Sequence, residues 1–231
     1  MFSATYSRGM TNIQDPYYNS VVLSLHMEGA NSGISFSDSS VGKLTISTSG
    51  NVSTSTDQKK FGTSSLTTSN NETDTAISNF ISAPASTLGV GAGDFTIEAW
   101  FLKTLGFTTH VRIWFPQNHV SGGNRITFLI LKTGVLYCDR FGAVIAQSSA
   151  LTWNNNQWYH VACTRSGSTV YLWRDGIQVA SASNITTNFA SDTSYRISPA
   201  NSGHFIDELR VTKGFARYTI PYTAPGVPFL P

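Results

Sequence analysis

Short apolar runs whose side chains alternate with a period of two, each closed by Gly, Asn or Ser, constrain this chain more than any other feature. They are VVLSLHME (21–28), KLTIST (43–48), DFTIEAWFL (94–102), RITFLIL (125–131), GVLYC (134–138), WYHVACTR (158–165), TVYLWRD (169–175), IQVASAS (177–183) and HFIDELRVT (204–212). All are rich in Val, Ile, Thr, Tyr, Phe and Trp, the residues that suit a pleated, half-buried surface. No window of a dozen residues carries a helical stripe, and no solenoid or propeller period repeats. Short strands with turn signals between them predict an all-β chain, a two-sheet sandwich or jelly roll.

Composition narrows the function classes. Charged residues are 12% of the 231, about half of the ~25% usual in soluble proteins, and Ser and Thr fill the gap. Net charge is +2, with Lys59-Lys60 the only basic doublet. A nucleic-acid partner is therefore not expected, because such partners call for a dense basic face. No run of eighteen apolar residues exists, so no membrane span is expected either. The first residues lack an apolar h-region and a cleavage site, which predicts folding in a cytoplasm without export by the general route. Cys138 and Cys163 lie in apolar runs and match no zinc spacing, so they read as buried core thiols; a bridge between them would need an oxidising compartment.

The stretch WYHVACTRSGSTVYLWRDG (158–176) gathers a histidine, a cysteine, two arginines and an aspartate. Ser166-Gly167 offers a two-residue hairpin turn, which would set Cys163 opposite Val170 and His160 opposite Trp173. Side-chain alternation then puts Val161, Cys163, Val170 and Leu172 on a core face and His160 on the other. A Cys–His nucleophile pair is excluded, and the stretch is a hairpin. The polar side chains of such ladders are expected to be dispersed outward rather than gathered at one centre.

Both ends differ from the middle. Residues 1–15 read as an N-terminal arm, 16–212 as the sandwich, and 213–231 as a proline-rich segment packed on the sandwich or on a partner. Prolines at 221, 225, 228 and 231 keep that last segment extended, and Phe215, Tyr218, Tyr222 and Phe229 give it an adhesive side. In residues 49–75, Val52, Phe61 and Leu66 are sparse anchors for short edge strands.

DPYYNSVVLSLHMEG, FSDSS, KFGTSSL, GDFTIEAWF, WYHVACTRSGSTVYLWRDGIQVAS and FIDELRVTKGFARYTIPYTAPGVPF follow one another in this order. The order resembles that of the laminin G-like, concanavalin A-like jelly-roll domains of many bacteriophage virion proteins, over roughly residues 15–231. The resemblance implies two antiparallel sheets stacked face to face. For the phage relatives it also implies a place in tail fibres, tail-associated proteins or capsid decoration. Glucanases of this fold carry alternating carboxylates on one strand, and retaining chemistry needs two carboxyls about 5–5.5 Å apart. Asp94 and Glu98 are four residues apart, about 13 Å along a strand, so no enzyme is expected.

In carbohydrate-binding and glucanase relatives, the turn after the first strand and an Asp of the last strand meet around a structural Ca2+. Carried over, this sets Asp207 opposite Glu28-Gly29, with Asp38 as a third oxygen donor for the ion. The alternative has Asp207 accept hydrogen bonds from backbone N–H groups where the termini pair, with Glu208 solvated on the opposite face. Trp114 and Trp153, beside Asn- and Gly-rich loops, are the candidates for stacking a sugar, with Asn154 as an amide donor; Trp100, Trp158 and Trp173 read as packing residues. His110, His119 and His204 are scattered and form no transition-metal spacing, and Gly89, Gly91 and Gly93 form a turn and no phosphate cradle.

The expected function is a non-enzymatic virion structural protein, a capsid decoration or small tail-associated protein located in the virion. No cofactor is required; a structural Ca2+ is the one ion that the resemblance offers. The alternative is a lectin-like adhesion module of a tail fibre or receptor-binding component. Other virion proteins, further copies of the chain and host-surface glycan are the partners these readings imply.

Overall fold

The computed structural model describes residues 14–73, 77–85, 87–117, 124–140 and 142–230. The N-terminal arm up to residue 13, and His119, lie outside the described residues. Fifteen strands occur among them: β1 (Val21–Leu25), β2 (Ser47–Ser49), β3 (Val52–Ser55), β4 (Ser65–Thr68), β5 (Phe80–Pro84), β6 (Phe95–Lys103), β7 (Val111–Pro116) and β8 (Ile126–Ile130), followed by β9 (Val135–Arg140), β10 (Ala143–Ala150), β11 (Gln157–Ser166), β12 (Thr169–Arg174), β13 (Ile177–Ala182), β14 (Ser194–Ser198) and β15 (His204–Lys213). They form two antiparallel sheets. The eight-stranded one runs β13-β12-β11-β6-β15-β4-β3, with β1 also on β15, and the seven-stranded one runs β10-β9-β8-β7-β14-β5-β2.

The longest strands, β6, β11 and β15, are neighbours in the middle of the eight-stranded sheet. Their alternation works as the sequence predicts. Phe95, Ile97, Ala99 and Phe101 of β6 and Val161 and Cys163 of β11 enter the core, where they meet Ile113, Phe128, Ile130 and Cys138 of the facing sheet. Cys138 and Cys163 are buried and unbridged. Burial pushes the Cys138 thiol well up, and the neighbouring Cys163 adds to it.

The β11–β12 hairpin turns one residue later than its sequence suggests. Gly167 takes φ +57°, the left-handed value that glycine allows at the first loop position. Ser166 therefore pairs with Thr169, Cys163 with Leu172 and Ala162 with Trp173. The slip is two places along the partner strand, so every side chain keeps its face, and Val161, Cys163, Val170 and Leu172 are all core residues. Trp173 is thus not opposite His160, but both still lie outside the core face.

In β15 the ladder to β6 shifts between Asp207 and Arg210, and Glu208 takes φ +50°. This bulge spends one extra residue, so Ile206, Leu209 and Val211 all reach the core. Glu208 is not solvated: it is 1% exposed, and both its oxygens lie 2.9–3.0 Å from His26 Nδ1. Its Oε2 also accepts the Phe229 N–H at 2.8 Å.

Candidate functional site

Each of the three acids proposed for calcium is already occupied by donors. Asp207 Oδ2 accepts the N–H groups of Lys60 (2.8 Å) and Phe61 (3.2 Å), and its Oδ1 accepts that of Glu208. Asp38 accepts the N–H groups of Ser24, Ser40 and Leu44 and the Ser40 hydroxyl. Glu28 holds the Thr63 N–H and hydroxyl. N–H dipoles that aim their positive ends at a carboxylate repel a cation from the same place. No cluster of three or more His, Cys, Asp or Glu able to hold a metal occurs among the described residues. The residues therefore do not fit a Ca2+ site, and the backbone-acceptor reading of Asp207 is the one the geometry shows. Burial, first, pushes its carboxyl up to about 7 against those hydrogen bonds.

The outer face of the eight-stranded sheet gathers polar groups rather than dispersing them. Glu98 of β6 accepts from Arg210 Nε (2.9 Å) and the Tyr218 hydroxyl (2.7 Å), and lies 3.1 Å from His160 Nε2. Asp15 joins Arg210 (3.0 Å) to Arg217 (2.6 Å). The segment after β15 lies over this network. Tyr218 O accepts the Thr164 hydroxyl, the Tyr222 N–H donates to Gly176 O, and the Tyr218 and Tyr222 rings stack 3.6 Å apart. An acid and an imidazole are thus in hydrogen-bonding reach, but Glu98 and His160 are both fully buried. The pair fastens the strap: Tyr218 bonds to Glu98, and Tyr222 lies 3.0 Å from His160 Nδ1.

The tryptophans singled out for sugar stacking are also inside. Trp114 is 0% exposed and stacked 4.3 Å from Tyr195; it sits in β7, not in a loop, and cannot meet a ligand. Trp153 is 6% exposed, donates Nε1–H to Gly134 O, and packs edge-on against Phe101, Phe107 and Tyr159. Asn154 is exposed, but its amide is turned to Gln157 Oε1 at 3.0 Å.

Outward residues of β7, β8 and β9 build a different site. Arg112 pairs in register with Leu129, and Leu129 with Tyr137, so the three form one row across three strands; Thr127 and Asp139 form another. Arg112, Leu129, Tyr137 and Asp139, with Leu131, Phe115 and His110, border a groove of about 350 Å³ on the seven-stranded sheet, within the usual range of ligand sites. Phe115, with the Arg112 guanidinium 5.7 Å from its ring centre, and Tyr137 supply aromatic walls. Asp139 is buried and held by Thr127 and by the Gly142 N–H at 2.6 Å. Burial, then the Asp139 charge, pushes the Tyr137 phenol up. His110 Nδ1 accepts the Lys132 N–H at 3.0 Å, which leaves Nε2 to carry the ring hydrogen. Arg112 is fixed by Glu72 (3.4 Å) and by His110 O (3.0 Å).

A fold of two such sheets, with an apolar core between them and a polar groove on one outer face, can be compared with known proteins. Residues 71–213 match the concanavalin A-like lectin/glucanases superfamily. The chain belongs to that superfamily. No curated protein matches it. Among solved structures, the binding domain of Paraclostridial Mosquitocidal Protein 1 is similar over 91% of this chain and 51% of its own, at 16% identity and a TM-score of 0.63. The binding domain of botulinum neurotoxin DC in complex with SialylT is similar over 85% and 48%, at 12% identity and 0.61. The Trypanosoma rangeli sialidase is similar over 90% and 32%, at 12% identity and 0.56. The chain spans about half the length of the two toxin domains. At these identities the likeness shows the concanavalin A-like fold, two antiparallel sheets in a sandwich, and none of these structures is a phage protein.

The groove residues escaped the sequence reading for a physical reason. In VRIWFP and LYCDR, Arg112, Tyr137 and Asp139 fall on alternate positions between core residues. The same alternation that identifies a strand also projects them to one outer face. Pairing of β7, β8 and β9 then brings them together, and pairing is not written in any one strand.

Proposed function

We propose that the chain is a glycan-binding module, a lectin-like jelly roll that holds saccharide in the groove of the seven-stranded sheet without cleaving it. The observation that carries the reading is the row of Arg112, Leu129 and Tyr137 beside Asp139. An aromatic wall takes the apolar face of a pyranose, while a fixed carboxylate and cations take its hydroxyls. Membership of a superfamily that contains lectins supports it, as does the likeness to a toxin binding domain solved with SialylT. Asp139 is the one carboxylate among the described residues that line the groove, whereas glycoside hydrolysis ordinarily uses two. An adhesive role, in a receptor-binding component, follows from this better than a capsid-decorating one. Attachment to a virion rests on the phage resemblance alone.

A glycan array probed with the full chain tests the reading. Binding to a defined saccharide set, lost in Tyr137→Ala and in Asp139→Ala with the circular dichroism spectrum unchanged, is the expected result. Absence of binding to every saccharide, or release of a reducing end from a bound one, contradicts it.

A further inference from the structure

At the end of the sandwich, next to the groove, Lys103 closes β6 and is only 9% exposed. Its ammonium donates to Asn155 Oδ1 and lies 5.7 Å from the Phe107 ring centre. Among the described residues no carboxylate pairs with it. A cation this far out of water is ordinarily paired with an anion, and here the partners are a neutral amide and an aromatic face.

Lys103 lines a hollow of about 240 Å³ together with Phe107, Lys132, Gly134, Leu151 and Trp153, and no acidic residue is among its described lining. Gly134 is what lets the turn close on it. It takes φ +79°, and a Cβ there would lie 2.9 Å from Leu151 O. The turn 131–134 is the wall shared with the groove, since Leu131 lines the groove, Lys132 lines the hollow, and the Lys132 N–H is bonded to His110.

We infer that this hollow receives the anionic group of an acidic saccharide, a carboxylate or a sulfate ester, whose neighbouring sugar occupies the groove. The inference rests on the glycan-binding reading and deepens it, because it assigns the ligand class. Two ammonium groups supply charge-assisted hydrogen bonds to the anion, and the half-buried Phe107 flanks the ring that bears it. The anion also gives Lys103 the counter-charge that none of the described residues provides.

The test is an array of matched neutral, carboxylated and sulfated oligosaccharides, followed by calorimetry on those that bind. One or both acidic forms are expected to bind about tenfold more tightly than the neutral one, a preference that fades as salt is raised. Lys132→Gln, an exposed substitution, and Lys103→Met should each bring the acidic form down to the affinity of the neutral one and leave the neutral one unchanged. Comparing the carboxylated with the sulfated arm then identifies the anion. If neutral saccharide binds in a Tyr137-dependent way with no acidic preference, the inference falls and the glycan-binding reading stands. An acidic preference that survives both lysine substitutions also overturns it. If no saccharide binds, both fall.

Discussion

At Glu98, burial and charge act in opposite directions. Burial raises the carboxyl's pKa, but Arg210, then His160 and Arg217, outweigh it and hold the group well below the usual carboxylate range. The folded-state value is thus depressed, so its stabilisation is present above the unfolded carboxylate pKa and is lost as pH falls. Glu98→Gln should cost about 3 kcal/mol in urea unfolding at neutral pH, because it removes one of the two carboxylates, Glu98 and Asp15, that neutralise the buried Arg210. His204 is depressed in the same sense, pushed down to about 4, first by burial. Its contribution is complete above the unfolded value near 6.5 and falls away toward pH 4, by up to about 1.4 kcal/mol per pH unit. His204 sits edge-on between Phe101 and Phe107, so His204→Phe keeps the packing and removes the titration. Its stability should vary less steeply than the wild type between pH 6.5 and 4; identical slopes would contradict the assignment.

At the scale of elements, the strap after β15 depends on one glycine. Gly176 takes φ +80°, and a Cβ there would stand 1.7 Å from Tyr222 O. Gly176→Ala should therefore release the strap locally and make residues 214–230 sensitive to limited proteolysis, at a cost of about 1–3 kcal/mol. Proteolysis unchanged from wild type would show that the strap is held elsewhere. The strap's aromatics are legible in GFARYTIPYTAPGVPFLP, but its partners are not, because Asp15 and Glu98 are far away in sequence. The long strands β6, β11 and β15 were legible for the opposite reason: each holds its apolar alternation over nine or ten residues. β7 is not, since VRIWFP is short and ends in proline, and its Trp114 reads only as lying beside an Asn- and Gly-rich loop. The bulge at Glu208 was equally hidden, as nothing in FIDELRV marks an extra residue.

For the whole molecule, the two outer faces have different uses. The eight-stranded sheet is roofed by residues 214–230 with Asp15 tied in beside them, and the seven-stranded sheet keeps a groove. The loops at the ends are held by carboxylates that accept backbone N–H groups, not by an ion, so chelator should leave the melting temperature unchanged; a drop of several degrees would restore a metal to the account. The measurement that goes most directly to the groove is a titration of isotope-labelled protein with an array-positive oligosaccharide, followed by amide shifts. The account predicts saturable shifts concentrated in residues 110–116, 127–132 and 135–140, with the amides of 214–230 unmoved. Shifts confined to the strap, or spread evenly over the surface without saturation, would contradict it.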